Sequence, residues 1–123
     1  MAVRTDILPG GVGIIEIKGS MIADGEVAEL RRAVAEFVDR RWRRLLIDFS
    51  ETIYINSTAV GVLVAAHTSY TKRDWLLKLC AMNKHVHVIF AITNLNKIFA
   101  VYDSRDEALA AFAEAESRHK DAQ

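Results

Sequence analysis

Residues 45–49, LLIDF, are apolar at both parities apart from Asp48. A strand of that kind is covered on both faces and belongs in the middle of its sheet. A polar loop follows from Ser50, and the spacing then predicts a helix over 58–73 in which Val60, Leu63, Val64, His67 and Thr71 form one stripe. Ala59, Val62, Ala65 and Ala66 make the first two turns of that helix apolar nearly all round, so it packs deeply. A buried strand running into a buried helix is the core of a crossover unit, which points to an α/β fold.

The same alternation extends in both directions. Upstream, VGIIEIK (12–18) sets Ile15 and Ile17 against Glu16 and Lys18, a half-buried strand that Gly19 closes. From Asp24, Val27, Leu30, Val34, Phe37 and Val38 recur at spacings of three and four and predict an amphipathic helix. Acids in its first turn and Arg40, Arg41, Arg43 and Arg44 beyond its far end match the helix dipole at both ends. Downstream, WLLKLCAM (75–82) reads as a strand. Residues 84–93 fit a helix or a strand equally by period, and alternation with the neighbouring elements favours the helix. Phe99–Tyr102 is a short strand, and Ser104 with Glu107 forms a capping box that opens a last helix along Leu109, Phe112 and Ala113. The expected architecture is an α/β sandwich: a mixed, largely parallel sheet of four to five strands with about four helices.

The 123 residues suit one domain, 1–123, with a solvated tail from Ser117 that is flexible over 118–123. Hydrophobic residues at 51% and charged residues at 26% give a chain able to bury a core. Sixteen Lys and Arg balance sixteen Asp and Glu, so no overall positive field exists to hold nucleic acid or an anionic membrane. The longest apolar stretch, Ala59–Ala66, falls far short of the ~20 residues that cross a bilayer. Arg4, Asp6 and Pro9 interrupt the place of an export signal, and a cytoplasmic location is expected. The single cysteine, Cys80, has no thiol to pair with and reads as a core residue.

Sites in such sheets collect where strands end and the next helices begin, which here is the loop from Asp48 to Thr58. A hydroxyl at the start of a helix accepts from the free amides of the first turn, and Ser57 and Thr58 stand there. No metal site is expected: His85 and His87 diverge by roughly two hundred degrees on a helix and have no acid or thiol beside them. His67 belongs to a core edge. Asp48 as a base for Ser57 lacks a histidine to complete a triad, there is no G-x-S-x-G elbow, and no glycine-rich phosphate loop is present. Neither catalytic residues nor a cofactor are expected. The arginine cluster with Trp42 reads as a solvated helix end, and otherwise as a surface for an acidic partner.

Residues 45–63, LLIDFSETIYINSTAVGVL, resemble the signature of STAS domains, the family of anti-sigma factor antagonists. In that signature an apolar strand ending in Asp and a small hydroxyl residue leads to an Asp-Ser-Ser-Gly-like motif opening a helix. Gly19 resembles the glycine closing the family's early strand, and KIFAVYDSRDEALAAF (97–112) its closing strand and acidic last helix. The resemblance implies a non-enzymatic protein-interaction module in a phosphorylation-controlled partner switch. Its partner would be an anti-sigma factor and serine kinase or another STAS-binding protein, and Ser57 the phosphoacceptor, with Thr58 the alternative. Asn56 stands where the family has an aspartate and Ala59 where it has a glycine. The implied partner surface comprises Ile53, Tyr54, Asn56, Ser57, Thr58 and Ala59, and a second copy of the chain is a further candidate partner. The other readings are a constitutive subunit of a stressosome-type scaffold or of a lipid transporter and, in a different class, a small hydrolase or ligand-binding enzyme with a polar pocket near Asp48.

Overall fold

The computed structural model describes the backbone of residues 2–121 and the side chains of residues 2–116. The tail expected from Ser117 lies outside the residues whose exposure is described. Along the chain come β1 (Val3–Leu8), β2 (Val12–Ile17), β3 (Gly19–Met21), α1 (Asp24–Asp39), β4 (Arg44–Asp48), β5 (Thr52–Ile55), α2 (Ser57–Lys72), β6 (Leu76–Cys80), α3 (Lys84–Ile92), a 3-10 turn (Leu95–Lys97), β7 (Ala100–Tyr102) and α4 (Arg105–Asp121). The main sheet has the order β1-β2-β4-β6-β7, with β1 antiparallel to β2 and every other neighbour parallel. The expected mixed sheet and four helices are therefore present, with β4 at the centre.

The apolar parity of each strand decides which layer it faces. Ile15, Ile17, Leu45, Ile47, Leu77 and Leu79 meet α1, α2 and α3 in the larger core, which also takes Leu30, Phe37, Leu63, Val86 and Phe90. The opposite parity, Ile14, Leu46 and Cys80, packs under Ala108 and Phe112 of α4. Two glycines matter to this packing. A Cβ on Gly13 would come within 2.5 Å of the Phe37 ring, so a bare backbone is what lets α1 close on β2. Gly19 adopts φ +70, a left-handed bend at which the chain leaves the main sheet for β3.

Several expectations require correction. β1 was not anticipated; it forms a hairpin with β2 through Pro9–Gly11. The connection after Asp48 is not merely a polar loop, because Thr52–Ile55 forms β5 and pairs in parallel with β3 as a small second sheet. Helix α1 ends at Asp39 with no basic residue in its last turn. Arg41 at φ 62 turns the chain, and Arg44 already belongs to β4, so the arginine cluster is an inter-element turn and not a dipole-matched helix end. Residues 84–92 are helical, as alternation favoured.

Candidate functional site

Asp48 closes β4 and is only 3% exposed. Its Oδ1 accepts from the Ser50 amide at 2.8 Å, and its Oδ2 accepts from Arg105 Nη2 at 2.7 Å and Nε at 3.1 Å. Arg105 Nη2 also reaches Glu16 Oε1 at 2.9 Å, joining the C-terminal ends of β2 and β4 to the first turn of α4. Donation to the Asp48 carboxylate raises the Arg105 pKa above its ordinary value, more than burial lowers it, and Glu16 adds to the rise. Both oxygens of Asp48 are thus engaged, and the idea of Asp48 as a base for Ser57 finds no support in this geometry.

Beyond Asp48 the chain is held by side chains that grip backbone. Thr52 Oγ1 donates to the Ile17 carbonyl at 2.7 Å in the interior. Asn83 Nδ2 donates to the carbonyls of Thr52 (2.9 Å) and Ile53 (3.1 Å), while its Oδ1 accepts from Val86 N at 2.9 Å and caps α3. Asn56 works in the same way one helix earlier. Its Oδ1 accepts from Ala59 N at 2.8 Å and its Nδ2 donates to the Ile22 carbonyl at 2.8 Å. The cap of α2 is therefore Asn56, not Ser57; Ser57 is the first helical residue.

That shift of one position changes what Ser57 can do. Ser57 and Thr58 are both exposed, and among the described hydrogen bonds neither their hydroxyls nor their amides have a partner within the chain. The first turn of α2 carries no acid. Beyond the Ala59 amide that Asn56 caps, the amides of Ser57 and Thr58 remain open donors at the positive end of the helix dipole, where added negative charge is stabilised. Ala59, by contrast, is wholly buried, so of the residues expected to form a partner surface it supports that surface from beneath. Asn56 is partly buried, while Ile53 (64% exposed) and Tyr54 stand out from β5.

Three residues that sequence reasoning did not single out extend this apolar surface. Ile22 lies in the loop held by Asn56, and Val88 and Ile92 (76% exposed) project from α3, which packs beside β5. The signal available in the sequence was the second Asn at a helix start, Asn83, which fixes α3 against β5. His85 and His87 are exposed on α3, and His67 is half-buried with its ring edge-on to Phe99 at 4.9 Å. Among the described residues no group of three or more His, Cys, Asp or Glu side chains is placed to hold a metal ion, and no helix is long and apolar enough to cross a membrane.

The family model of the STAS domain matches residues 6–108. A candidate anti-sigma factor antagonist of Bordetella bronchiseptica, BtrV, is 30% identical over 95 residues, covering 77% of this chain and 82% of that protein. The crystal structure of a candidate anti-sigma factor antagonist from Thermotoga maritima has a TM-score of 0.82 at 22% identity and covers 89% of this chain and 92% of that one. The phosphorylated form of the Bacillus cell fate determinant SpoIIAA has a TM-score of 0.74 at 12% identity over 90% of this chain and 99% of its own. At these identities the two structures establish a shared fold.

Proposed function

The chain belongs to the STAS domain family, and from that membership we propose that it is the protein-binding module of a phosphorylation-controlled partner switch, with Ser57 as the phosphoacceptor. Its partner is an anti-sigma factor that is also a serine kinase. The observation that carries this reading is the exposed Ser57 on the first turn of α2, with open amides beneath it and an apolar surface beside it. The chain 1–123 acts as one domain in the cytoplasm, requires no cofactor and catalyses no reaction of its own.

In the unmodified state Ile22, Ile53, Tyr54, Val88 and Ile92 offer the partner apolar area, and covering what remains exposed of them contributes roughly 25 cal/mol per Å². Phosphate on Ser57 adds about −1.5 to −2 charges. The free amides of Ser57 and Thr58 and the helix dipole make that charge tolerable to the domain. A partner covering the same surface would have to desolvate it, so modification releases the partner. Asn56 assists by placing a neutral amide beside the phosphate where a carboxylate would repel it.

The test incubates the protein with its cognate kinase and ATP and maps phosphate by mass spectrometry, followed by calorimetric titration of both forms with that kinase. Phosphate on Ser57 and a weakened complex are expected. Phosphate confined to Thr58 or a distant residue, or none with a kinase shown to be active, would sink the switch and leave a constitutive binding subunit.

A further inference from the structure

The two crossovers that enter β4 and β6 end alike. After α1, Arg41 at φ 62 reverses the chain and the Trp42 amide donates to the Phe37 carbonyl at 2.9 Å; after α2, Asp74 at φ 58 does the same and the Trp75 amide donates to the Tyr70 carbonyl at 2.9 Å. The strands are parallel neighbours and the Leu76 amide donates to the Arg43 carbonyl at 2.8 Å, so the two turns lie side by side. They form the end of the sheet opposite Asp48 and Ser57. Between them runs a groove of about 720 Å³ whose walls include Arg41, Arg43, Arg44, Arg73, Trp42 and Trp75.

Charge in this groove is unbalanced. Arg44 is engaged, donating to Glu116 and to the Gly10 carbonyl. Arg41 and Arg73 each lie 5.5 Å over the Trp75 ring, and Arg73 also donates to Ser69. Among the described residues none of Arg41, Arg43 and Arg73 has an ion-pair partner, although Asp74 also lines the groove. Guanidinium groups that line one groove without ion-pair partners favour an entering carboxylate, which accepts charge-assisted hydrogen bonds from them. The half-buried tryptophans add apolar walls beside the charges.

We propose that this groove is a second docking site, for an acidic segment of a partner protein in which carboxylates alternate with aliphatic residues. Glu116, seated on Arg44, shows a carboxylate already accepted at the groove's edge. The extent of the patch favours a short segment over a long polyanion. The adjoining groove shares Trp42 but carries Asp6 and a Glu36 already paired with Arg40, and the whole chain has no net charge, so the positive patch does not continue far enough to track a nucleic acid. The site is independent of the reading of Ser57, because it lies at the other end of the sheet.

Both tryptophans of the chain line this groove, so intrinsic fluorescence reports on it directly. The experiment titrates the protein with a short Glu/Leu peptide, a Lys/Leu peptide of the same pattern, a short DNA duplex and vesicles containing phosphatidylglycerol. Saturable change in tryptophan emission with the Glu/Leu peptide, weakened by salt, is expected. Arg43→Glu, at an exposed position bonded only through its backbone carbonyl, should weaken that binding about tenfold or more. Arg73→Gln supplies a second variant, thermal melts verify the fold of both, and Ser57→Asp should bind the peptide as the parent does. No tryptophan response at millimolar peptide, equal binding of the Lys/Leu peptide, indifference to both arginine variants, loss of binding in Ser57→Asp, or tighter binding of duplex or vesicles would each overturn the proposal.

Discussion

The residue that modification would reach and the residue that holds the helix are neighbours with separate tasks. A hydroxyl at a helix start is legible in the sequence, but whether Ser57 or Asn56 occupies the cap depends on where the chain from β5 enters the turn, and only the fold supplies that. Because Asn56 makes the capping bond, Ser57→Ala should leave stability within about 0.5 kcal/mol of the parent. Asn56→Ala should cost about 0.5–2 kcal/mol, since both the cap and the bond to the Ile22 carbonyl are lost. Urea denaturation of the two variants checks this, and a larger loss in Ser57→Ala would return the cap to the serine. Cys80 reads as a core residue in sequence and in structure. Burial, with the Asp48 charge adding to it, pushes its thiol from 9.0 up to about 12. The unfolded chain loses that proton first, so the stability linked to Cys80 is present below pH 9.0 and declines as pH rises towards 12. Cys80→Ser should flatten the alkaline limb of a stability–pH curve, and folded protein should resist iodoacetamide at neutral pH.

At the scale of elements, what was legible followed length and period. β4 and α2 are long, strongly patterned and buried, and both stand where the sequence put them to within a residue or two. β5 is only four residues with the order buried, exposed, exposed, buried, a pattern with no period of two, and its partner β3 has three residues. Its existence rests on Asn83, Thr52 and the bend at Gly19, contacts between segments distant in sequence. β1 does alternate, with Val3, Thr5 and Ile7 against Arg4 and Asp6, and a Pro-Gly-Gly turn follows it; the signal is short, a threonine interrupts its apolar face, and only Val3 of the strand is fully buried. Asn83 offers a way to separate the two elements it joins. Asn83→Asp keeps the acceptor that caps α3 but removes both donations to β5. The variant should retain α3 in hydrogen exchange while the amides of Thr52–Ile55 exchange faster, and affinity for the partner should fall because Ile53 and Tyr54 ride on that strand. Equal protection of β5 in the variant would show that its pairing with β3 suffices.

Across the whole molecule, the sheet separates the end that carries Ser57 from a basic end, and α2 spans the distance between them. Its buried residues run from Ala59 through Val60, Val62, Leu63 and Ala66 to Tyr70, and the Tyr70 hydroxyl donates to the Trp42 carbonyl at 2.7 Å. Interiors packed in this way do not deform continuously, so a charge added at the first residue has no loose element through which to act. Its effect must remain at the surface where it is placed. Ser57→Asp, carrying about half the charge of a phosphate, should therefore leave the thermal midpoint nearly unchanged while weakening the partner complex. Hydrogen exchange should be altered only in the first turn of α2 and in the neighbouring Ile53–Asn56 segment, with β4 and the last two turns of α2 protected as in the parent. Loss of protection along the length of α2 would mean that modification works by loosening the fold, and the local electrostatic account of the switch would then be wrong.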